Sequence, residues 1–556
     1  MVKTKIVSSL EKALLTDDIE KFPSLSKISA LRGERISVQL LHTYVCEGDE
    51  KKNGMLTTPR LSGSLAKYAT MFEVGNVPVE RPLLLASGDD DNYISKLPGL
   101  YPDVLRPLLF GGRVVSTTGV LFSIFIEIDL PYDIEPGNHT LKITLNGEDR
   151  SLSEEEIAVE VIDAALPKQT LYYTQWFHCD CLASYYNVEV WSDRHWQIVE
   201  NFARAARRNG INLLLTPIFT PPLDTEVGGE RLTTQLVGVK RENGIYSFDF
   251  TLLDRWVDMC DRVGIEYFEI AHLFTQWGAA HAPKVMATVN GEYKKIFGWE
   301  TDAQGDEYRE FLRTFIPAFL SHMKARGDDK RCFFHISDEP ITENLENYKA
   351  AKGTVADLLE GYTIMDAISH YEFYEMGILD TPIPSNDHIQ EFLDHKVKNL
   401  WTYYCCMQLD KVSNRMIQMP SYRTRSIGYQ MYKYDIVGFL QWGFNFYNSR
   451  RSRDFINPYS ILDAGGYFPA GDAFSVYPAQ NGEALDSIRF VIFYEAIQDI
   501  SAMKLCEEYY GKEKLVEVIE EFIGKEVTFD VCATNAAQIL GMRERINEMI
   551  KAKVAE

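Results

Sequence analysis

From Pro167 onward the chain repeats one rhythm, a short apolar run followed by a longer amphipathic one. The short runs are Leu171 to Phe177, Ile211 to Pro217, Ile265 to His272, Arg331 to Ser337, Tyr362 to Asp366, Leu379 to Ile383, Asn399 to Tyr404 and Ile436 to Trp442. Apolar runs of this length bounded by turn residues read as buried strands, and parallel strands need crossovers long enough to hold a helix. Asp193 to Arg208, Leu252 to Arg262, Asp306 to Lys324 and Thr342 to Leu359 supply that helical spacing between them. Eight strands in this rhythm predict a (β/α)8 barrel, with an open doubly wound sheet as the alternative. The sixth run is the least strand-like.

Ahead of Pro167 the pattern differs. Short alternating runs such as Arg35-Ile-Ser-Val-Gln-Leu-Leu, Val120-Leu-Phe-Ser-Ile-Phe-Ile-Glu-Ile and His139-Thr-Leu-Lys-Ile-Thr-Leu are separated by turn residues, among them Pro136-Gly137 and Asn146-Gly147. Alternation with such turns predicts an all-β sandwich. Beyond about Asp486 the chain turns helical and charged over Ser487 to Leu505, Lys512 to Ile523 and Thr534 to Lys551. The expected organisation is a β-sandwich over residues 1–165, a barrel over 166–485 and a helical segment over 486–556 packing on the barrel.

A length of 556 residues exceeds one ordinary core, as this division requires. The formal charge of −23, without any long Lys/Arg cluster, argues against a nucleic-acid partner. Met1 to Phe22 lacks the continuous apolar core of a signal peptide, and no run approaches the length of a membrane span, so a cytoplasmic protein without a membrane partner is expected. Nine cysteines without a C-x-x-C motif read as reduced packing residues, Cys179/Cys181 and Cys405/Cys406 included.

In a parallel β/α fold, active sites form at the carboxyl ends of the strands. Here those ends carry Trp176, His178 and Asp180 after the first strand, Asp224 in the loop after the second, and His272 and Trp277 after the third. Asp338 and Glu339 follow the fourth, Asp366 lies at the fifth, Trp401, Tyr403 and Tyr404 at the seventh, and Trp442 and Asn445 at the eighth. Acidic and aromatic side chains together suit a sugar, whose apolar face stacks on indole and whose hydroxyls need carboxylates and amides. His178, His272 and His335 are also candidates for metal ligands, but no H-x-H or H-E-x-x-H pattern accompanies them, so no metal or other cofactor is expected.

The Asp-Glu pair after the fourth strand is the candidate catalytic centre. The same dipeptide recurs at Asp49-Glu50, in a Gly/Lys/Asn-rich loop, and at Asp306-Glu307, in the polar opening of a helix; only Asp338-Glu339 follows a strand. Retaining glycosidases with a protein nucleophile hold two carboxyls about 5–5.5 Å apart across the scissile bond, usually from different strands. Adjacent carboxyls fit the other solution, in which a 2-acetamido sugar supplies its own nucleophile. Glu339 would then be the acid/base and Asp338 the partner that orients the acetamide.

His335-Ile-Ser-Asp-Glu-Pro340, Leu400-Trp-Thr-Tyr-Tyr-Cys-Cys406, Gly438-Phe-Leu-Gln-Trp-Gly443 and Gly471-Asp-Ala-Phe-Ser-Val-Tyr-Pro478, followed by Ser487-Ile-Arg489, together resemble glycoside hydrolase family 123, the β-N-acetylgalactosaminidases. The resemblance spans Leu171 to about Ala502. It implies a β-sandwich before a (β/α)8 barrel, no metal, retention through substrate assistance by Asp338 and Glu339, and an acetamido contact from Tyr403 or Tyr404. A direct-nucleophile glycosidase using Asp366 or Asp224, and a carbohydrate-binding protein without hydrolysis, are the competing functions.

Overall fold

A computed structural model of the chain describes residues 1–46, 53–83 and 90–556; the Asp49-Glu50 dipeptide lies outside them. The amino-terminal part is rich in sheet. Val2–Ser8, Arg35–Tyr44, Phe122–Asp129, Ala69–Val79 and Gly99–Pro107 form one five-stranded sheet in that spatial order. Lys27–Arg32, Ser151–Ala165, Gly137–Asn146, Gly54–Ser62 and Val114–Thr117 form a second. The two sheets share one core, in which Val38, Leu40, Ile124 and Ile126 of the first meet Leu141, Ile143, Ile157 and Val159 of the second. The Asn146-Gly147 turn closes a hairpin, with the Gly147 amide donating to the Arg150 carbonyl at 2.9 Å.

Eight parallel strands follow where the apolar runs predict them. Leu213–Thr216, Tyr267–Ile270, Cys332–Phe334, Thr363–Ala367 and Thr381–Ile383 make a five-stranded parallel sheet in chain order. Tyr172–Gln175, Gly438–Gln441 and Trp401–Tyr403 make a three-stranded one. The strand order therefore describes two parallel sheets where the sequence predicts one ring, and the residues at the two seams explain the interruption. Between the first and second strands, the Asn212 amide donates to the Tyr173 carbonyl at 3.1 Å, and its side chain then takes over the pairing, bonding the Tyr173 amide at 2.8 Å and the Leu171 carbonyl at 3.1 Å. At the other seam the sixth strand carries Pro382 and is followed by Pro384, which removes ladder donors. Single bonds remain there, from the Tyr403 amide to the Pro384 carbonyl at 3.1 Å and from the Asn386 amide to the Tyr403 carbonyl at 2.9 Å.

The excursions after the second and third strands build a four-stranded sheet that the sequence reading does not anticipate. Its hairpins, Gly238–Glu242 with Ile245–Asp249 and Val285–Val289 with Glu292–Phe297, turn through Asn243-Gly244 and Asn290-Gly291. All four turn residues have positive φ, as a two-residue hairpin loop demands.

The helix Ile488–Tyr510 joins the two halves. Sixteen of its 23 residues are buried, so it is a core element exposed only near its carboxyl end, at Lys504, Glu508 and Tyr509. Phe493 stacks on Tyr173 of the first parallel strand at 4.7 Å, while the Gln498 side chain bonds both the amide and the carbonyl of Arg35 at 2.8 Å. At its start, Arg489 meets Asp103 of the amino-terminal sheet through two bonds of 2.7 and 2.9 Å, both residues fully buried. Among the described residues no helix is long and apolar enough to cross a membrane.

Removing one partner of a buried ion pair strands the other charge, which costs about 3–5 kcal/mol. Asp103→Ala should therefore lower the unfolding free energy in urea by about that amount, and Asp103→Leu combined with Arg489→Met should recover most of the loss. A loss below about 1 kcal/mol in the single variant would mean that the pair is not what fastens the two halves.

Candidate active site

The fourth parallel strand is only three residues long, yet the segment beyond it stays pinned. Leu273, Phe274 and Trp277 donate their amides to the carbonyls of His335, Ile336 and Asp338 at 3.2, 3.0 and 2.9 Å, and the Ser337 hydroxyl donates to the Thr275 carbonyl at 2.7 Å. Across the strand, the buried Asp366 carboxylate accepts the Ile336 and Ser337 amides at 3.1 and 3.4 Å and the Tyr348 hydroxyl at 2.6 Å. Asp338 and Glu339 are thus delivered by backbone that is held on both sides.

Neighbouring side chains on an extended strand point to opposite faces. Glu339 departs from that geometry with φ of 42°, and both carboxylates line one cavity of about 330 Å³. Trp176, Asp224, Trp277, Tyr403 and Trp442 line it as well, so seven of the residues singled out in the sequence converge there. Asp224, Trp277 and Arg451 of the lining share the left-handed backbone, with φ of 37°, 59° and 63°. Such conformations cost non-glycine residues about 1–3 kcal/mol and gather at functional sites.

Beneath the pair lies a fully buried clamp. His335 bonds Asp366 through Nδ1 at 2.9 Å and Glu269 through Nε2 at 2.8 Å. Glu269 also accepts the Trp176 indole N–H at 2.7 Å and the Thr174 hydroxyl. Burial pushes the His335 pKa down, but the hydrogen bonds and charges of Asp366 and Glu269 outweigh it and raise the value to about 9. Burial, reinforced by the charge of Glu339, lifts Asp338 well above the ordinary carboxylate range, and the His335 imidazolium opposes that rise. Burial also raises Glu339, against the hydrogen bond that its Oε1 accepts from the Tyr403 hydroxyl at 2.7 Å.

The other singled-out residues lie away from the cavity, most of them held by specific partners, while both His272 ring nitrogens are buried without one. Arg231 takes Asp180 through two 2.7 Å bonds and His178 Nδ1 at 3.1 Å. The remaining His178 nitrogen meets the Trp442 carbonyl at 3.0 Å, and Asn445 brackets the His178 backbone at 2.8 and 3.1 Å. Trp401 packs at the start of its strand over Gly438, where a β-carbon would lie 2.1 Å from the indole. Tyr404 points away from Tyr403 into the core against Phe439 and Phe493. His335 and Asp366 belong to the clamp, and His272 stacks on His335 with ring centroids 4.3 Å apart and planes 19° apart.

His272, His335 and Asp366 bring possible ligand atoms within 4.8 Å of one another. A metal needs in-plane lone pairs that converge, whereas these rings are stacked and both His335 nitrogens already face carboxylates. The donor set fits a charge clamp better than a metal centre.

The sequence reading passed over Glu269, although a charged residue inside an apolar strand is itself a signal of buried pairing. It also passed over Gln276, Arg450 and Arg451 and read Cys405 and Cys406 as packing residues, and all five line the cavity from the loops beyond the strands. Cys405 and Cys406 are reduced, and no disulfide forms among the described residues.

The clamp carries a pH signature. A histidine raised from about 6.5 to about 9 stabilises the fold fully below the lower value, and that contribution is lost as pH rises through the higher one. The urea midpoint should fall between about pH 6.5 and 9, by up to roughly 3 kcal/mol in unfolding free energy, and His335→Gln should flatten that slope. An unchanged slope in the variant would remove the charge from the clamp.

The fold and the family of the chain are shown by its likeness to known proteins. The chain superposes on a family 123 glycoside hydrolase from Clostridium perfringens with a TM-score of 0.73 and 15% identity, over 100% of this chain and 98% of that one. At this identity the likeness speaks to the fold. A family 39 glycoside hydrolase from Bacteroides cellulosilyticus, at 11% identity over 86% of this chain and 81% of that one, reaches a TM-score of only 0.32. No curated protein matches. The model of the glycoside hydrolase 123 catalytic domain matches residues 176–506, more than half of the chain and every element that lines the cavity. This chain belongs to glycoside hydrolase family 123, and it is a glycosidase acting on carbohydrate.

Proposed function

We propose that the protein is a retaining exo-β-N-acetylhexosaminidase working by substrate assistance, with Asp338 and Glu339 as its catalytic residues in a (β/α)8 barrel behind a β-sandwich. The observation that carries this reading is the adjacency of the two carboxylates in one cavity, obtained by the left-handed backbone of Glu339. Single backbone bonds across both seams of the parallel strands support closure into a barrel. N-acetylgalactosamine is the sugar assigned, on the family likeness and on the C. perfringens relative, which is described as hydrolysing glycolipid glycans.

Glu339, whose protonated form burial favours, gives its proton to the glycosidic oxygen as the bond from that oxygen to the anomeric carbon breaks. The acetamido carbonyl oxygen of the same sugar bonds to the anomeric carbon, forming an oxazolinium ring, while Asp338 accepts the acetamido N–H. The His335 charge favours the ionised form of Asp338 that this step uses. Glu339, now a carboxylate, takes a proton from water as the water oxygen opens the ring, and configuration is retained. Tyr403, not Tyr404, faces the cavity and is the tyrosine for the acetamido group. Of the two alternative nucleophiles, Asp224 lines the cavity, whereas Asp366 is enclosed in the clamp.

Aryl 2-acetamido-β-glycosides should be hydrolysed and their 2-hydroxy counterparts should not. Glu339→Gln and Asp338→Asn should each lower kcat by about 10²–10⁴ on substrates with poor leaving groups, and Asp338→Asn should also weaken inhibition by a thiazoline mimic of the oxazoline. A covalent 2-fluoroglycosyl adduct on Asp224 would replace substrate assistance with a protein nucleophile. Tight sugar binding without turnover across a glycoside panel would make the protein a binder.

Tyr403 donates to the carboxylate form of Glu339 and so holds its pKa down. Tyr403→Phe should let Glu339 stay protonated to higher pH, moving the alkaline limb of the pH–kcat/KM profile upward. A limb that stays in place would separate Tyr403 from the acid.

A further inference from the structure

We propose that the rim of the cavity is an anion subsite and that the substrate is an anionic carbohydrate: a 2-acetamido sugar that bears a sulfate ester or is linked to a uronic acid. The inference rests on the glycosidase reading of the cavity and adds the class of substrate. Arg450 and Arg451 line the cavity, yet among the described residues neither guanidinium has an ion pair or a hydrogen bond. Several arginines buried deeper in this acidic chain are held by carboxylates, as Arg231 is by Asp180, Arg425 by Asp499 and Arg489 by Asp103, whereas Arg60, Arg150 and Arg241, like the rim pair, have no ion pair among the described residues.

Both guanidiniums lie against aromatic rings at the mouth. The Arg451 carbon Cζ is 5.9 Å from the centre of the Trp277 ring, and that of Arg450 is 5.5 Å from the Tyr467 ring. Trp277 and Tyr467 are 41% and 56% exposed, which sets these pairs at the opening rather than beside the carboxylates. The Arg451 Nε is buried without a partner.

The backbone beneath is fixed. Asp224 accepts the Arg451 amide at 2.8 Å, its carbonyl accepts the Ser452 hydroxyl at 2.8 Å, and the Arg451 carbonyl accepts the Glu226 amide at 3.0 Å. Asp224, Asp338 and Glu339 would repel an anion from the cavity, and the net charge of −23 would repel it from the whole molecule. Two unpaired forks of N–H donors at the mouth reverse that field locally and match the paired oxygens of a carboxylate or sulfate. Neutral sugar hydroxyls require no such charge.

The test compares a neutral aryl N-acetyl-β-galactosaminide, its 6-O-sulfated form, and an N-acetylgalactosaminyl-glucuronic acid disaccharide beside its galactose-containing neutral counterpart. At least one anionic substrate should exceed its neutral partner in kcat/KM by about tenfold or more, and the advantage should shrink at high salt and in Arg450→Ala and Arg451→Ala. The sulfated and uronate arms identify which anion is read. Equal kcat/KM for charged and neutral partners, or an advantage untouched by both arginine variants, would overturn the subsite. If none of the glycosides is cleaved, the hydrolytic reading fails by itself, and calorimetry with the two disaccharides decides the subsite. About tenfold tighter binding of the uronate, lost in the arginine variants, supports it; equal affinities overturn it.

Discussion

The Glu269–His335–Asp366 clamp is the interaction on which the rest of the site depends. Three ionisable groups without solvent exposure are expensive to bury, and the arrangement holds because each has its hydrogen-bonding capacity met. His335 uses both nitrogens; Glu269 accepts from His335, Trp176 and Thr174; Asp366 accepts from His335, Tyr348 and two backbone amides. The clamp spans the first, third, fourth and fifth parallel strands in one network. Its outermost members are the two amides that carry the chain into Asp338, so the position of the acidic pair follows from the clamp rather than from its own side-chain contacts.

The same clamp sets the electrostatics above it. Two adjacent carboxylates in a desolvated cavity resist losing both protons, which raises both pKa values through burial and, at Asp338, through the charge of its neighbour. The imidazolium below acts against that rise at Asp338, and Tyr403 acts against it at Glu339 from the other side of the cavity. Unequal surroundings of this kind are how one pair of acids is given two roles. Trp176 links the two levels, since its indole N–H serves Glu269 while its ring lines the cavity.

The fold was legible in the sequence wherever a physical period declared it. Seven of the eight parallel strands fall within the apolar runs and the fifth, Thr363–Ala367, overruns its own by one residue, because burial on both faces leaves little room for polar alternation. Asp193–Arg208 and Lys512–Ile523 match their predicted limits, which Ser192 as N-cap and the Gly524 C-cap make plain. The extra hairpins were equally readable, from Asn243-Gly244 and Asn290-Gly291, but the weight given to the β/α rhythm hid them. At the site, position after a strand found the residues that face the cavity and could not tell them from their neighbours. His178 and Asp180 are drawn aside by Arg231, some fifty residues on, and nothing local to them announces that partner. Tyr403 and Tyr404 differ only by the alternation of a strand whose register no single sequence declares.

The two parts of the cavity are built differently, and that difference decides what can vary. Its floor comes from short strand ends locked by the clamp and by backbone bonds between residues 273–277 and 335–338, where a shift of one side chain would disturb several partners. Its rim comes from long excursions, among them the loops that carry Asp224, Cys405, Arg450 and Phe468. Loops on a rigid scaffold tolerate change that the scaffold does not. The floor is therefore the part of the cavity that tolerates least change, and the rim the part that can vary. The unpaired guanidiniums belong to the rim, which is why they distinguish this chain's substrate without altering the reaction beneath it.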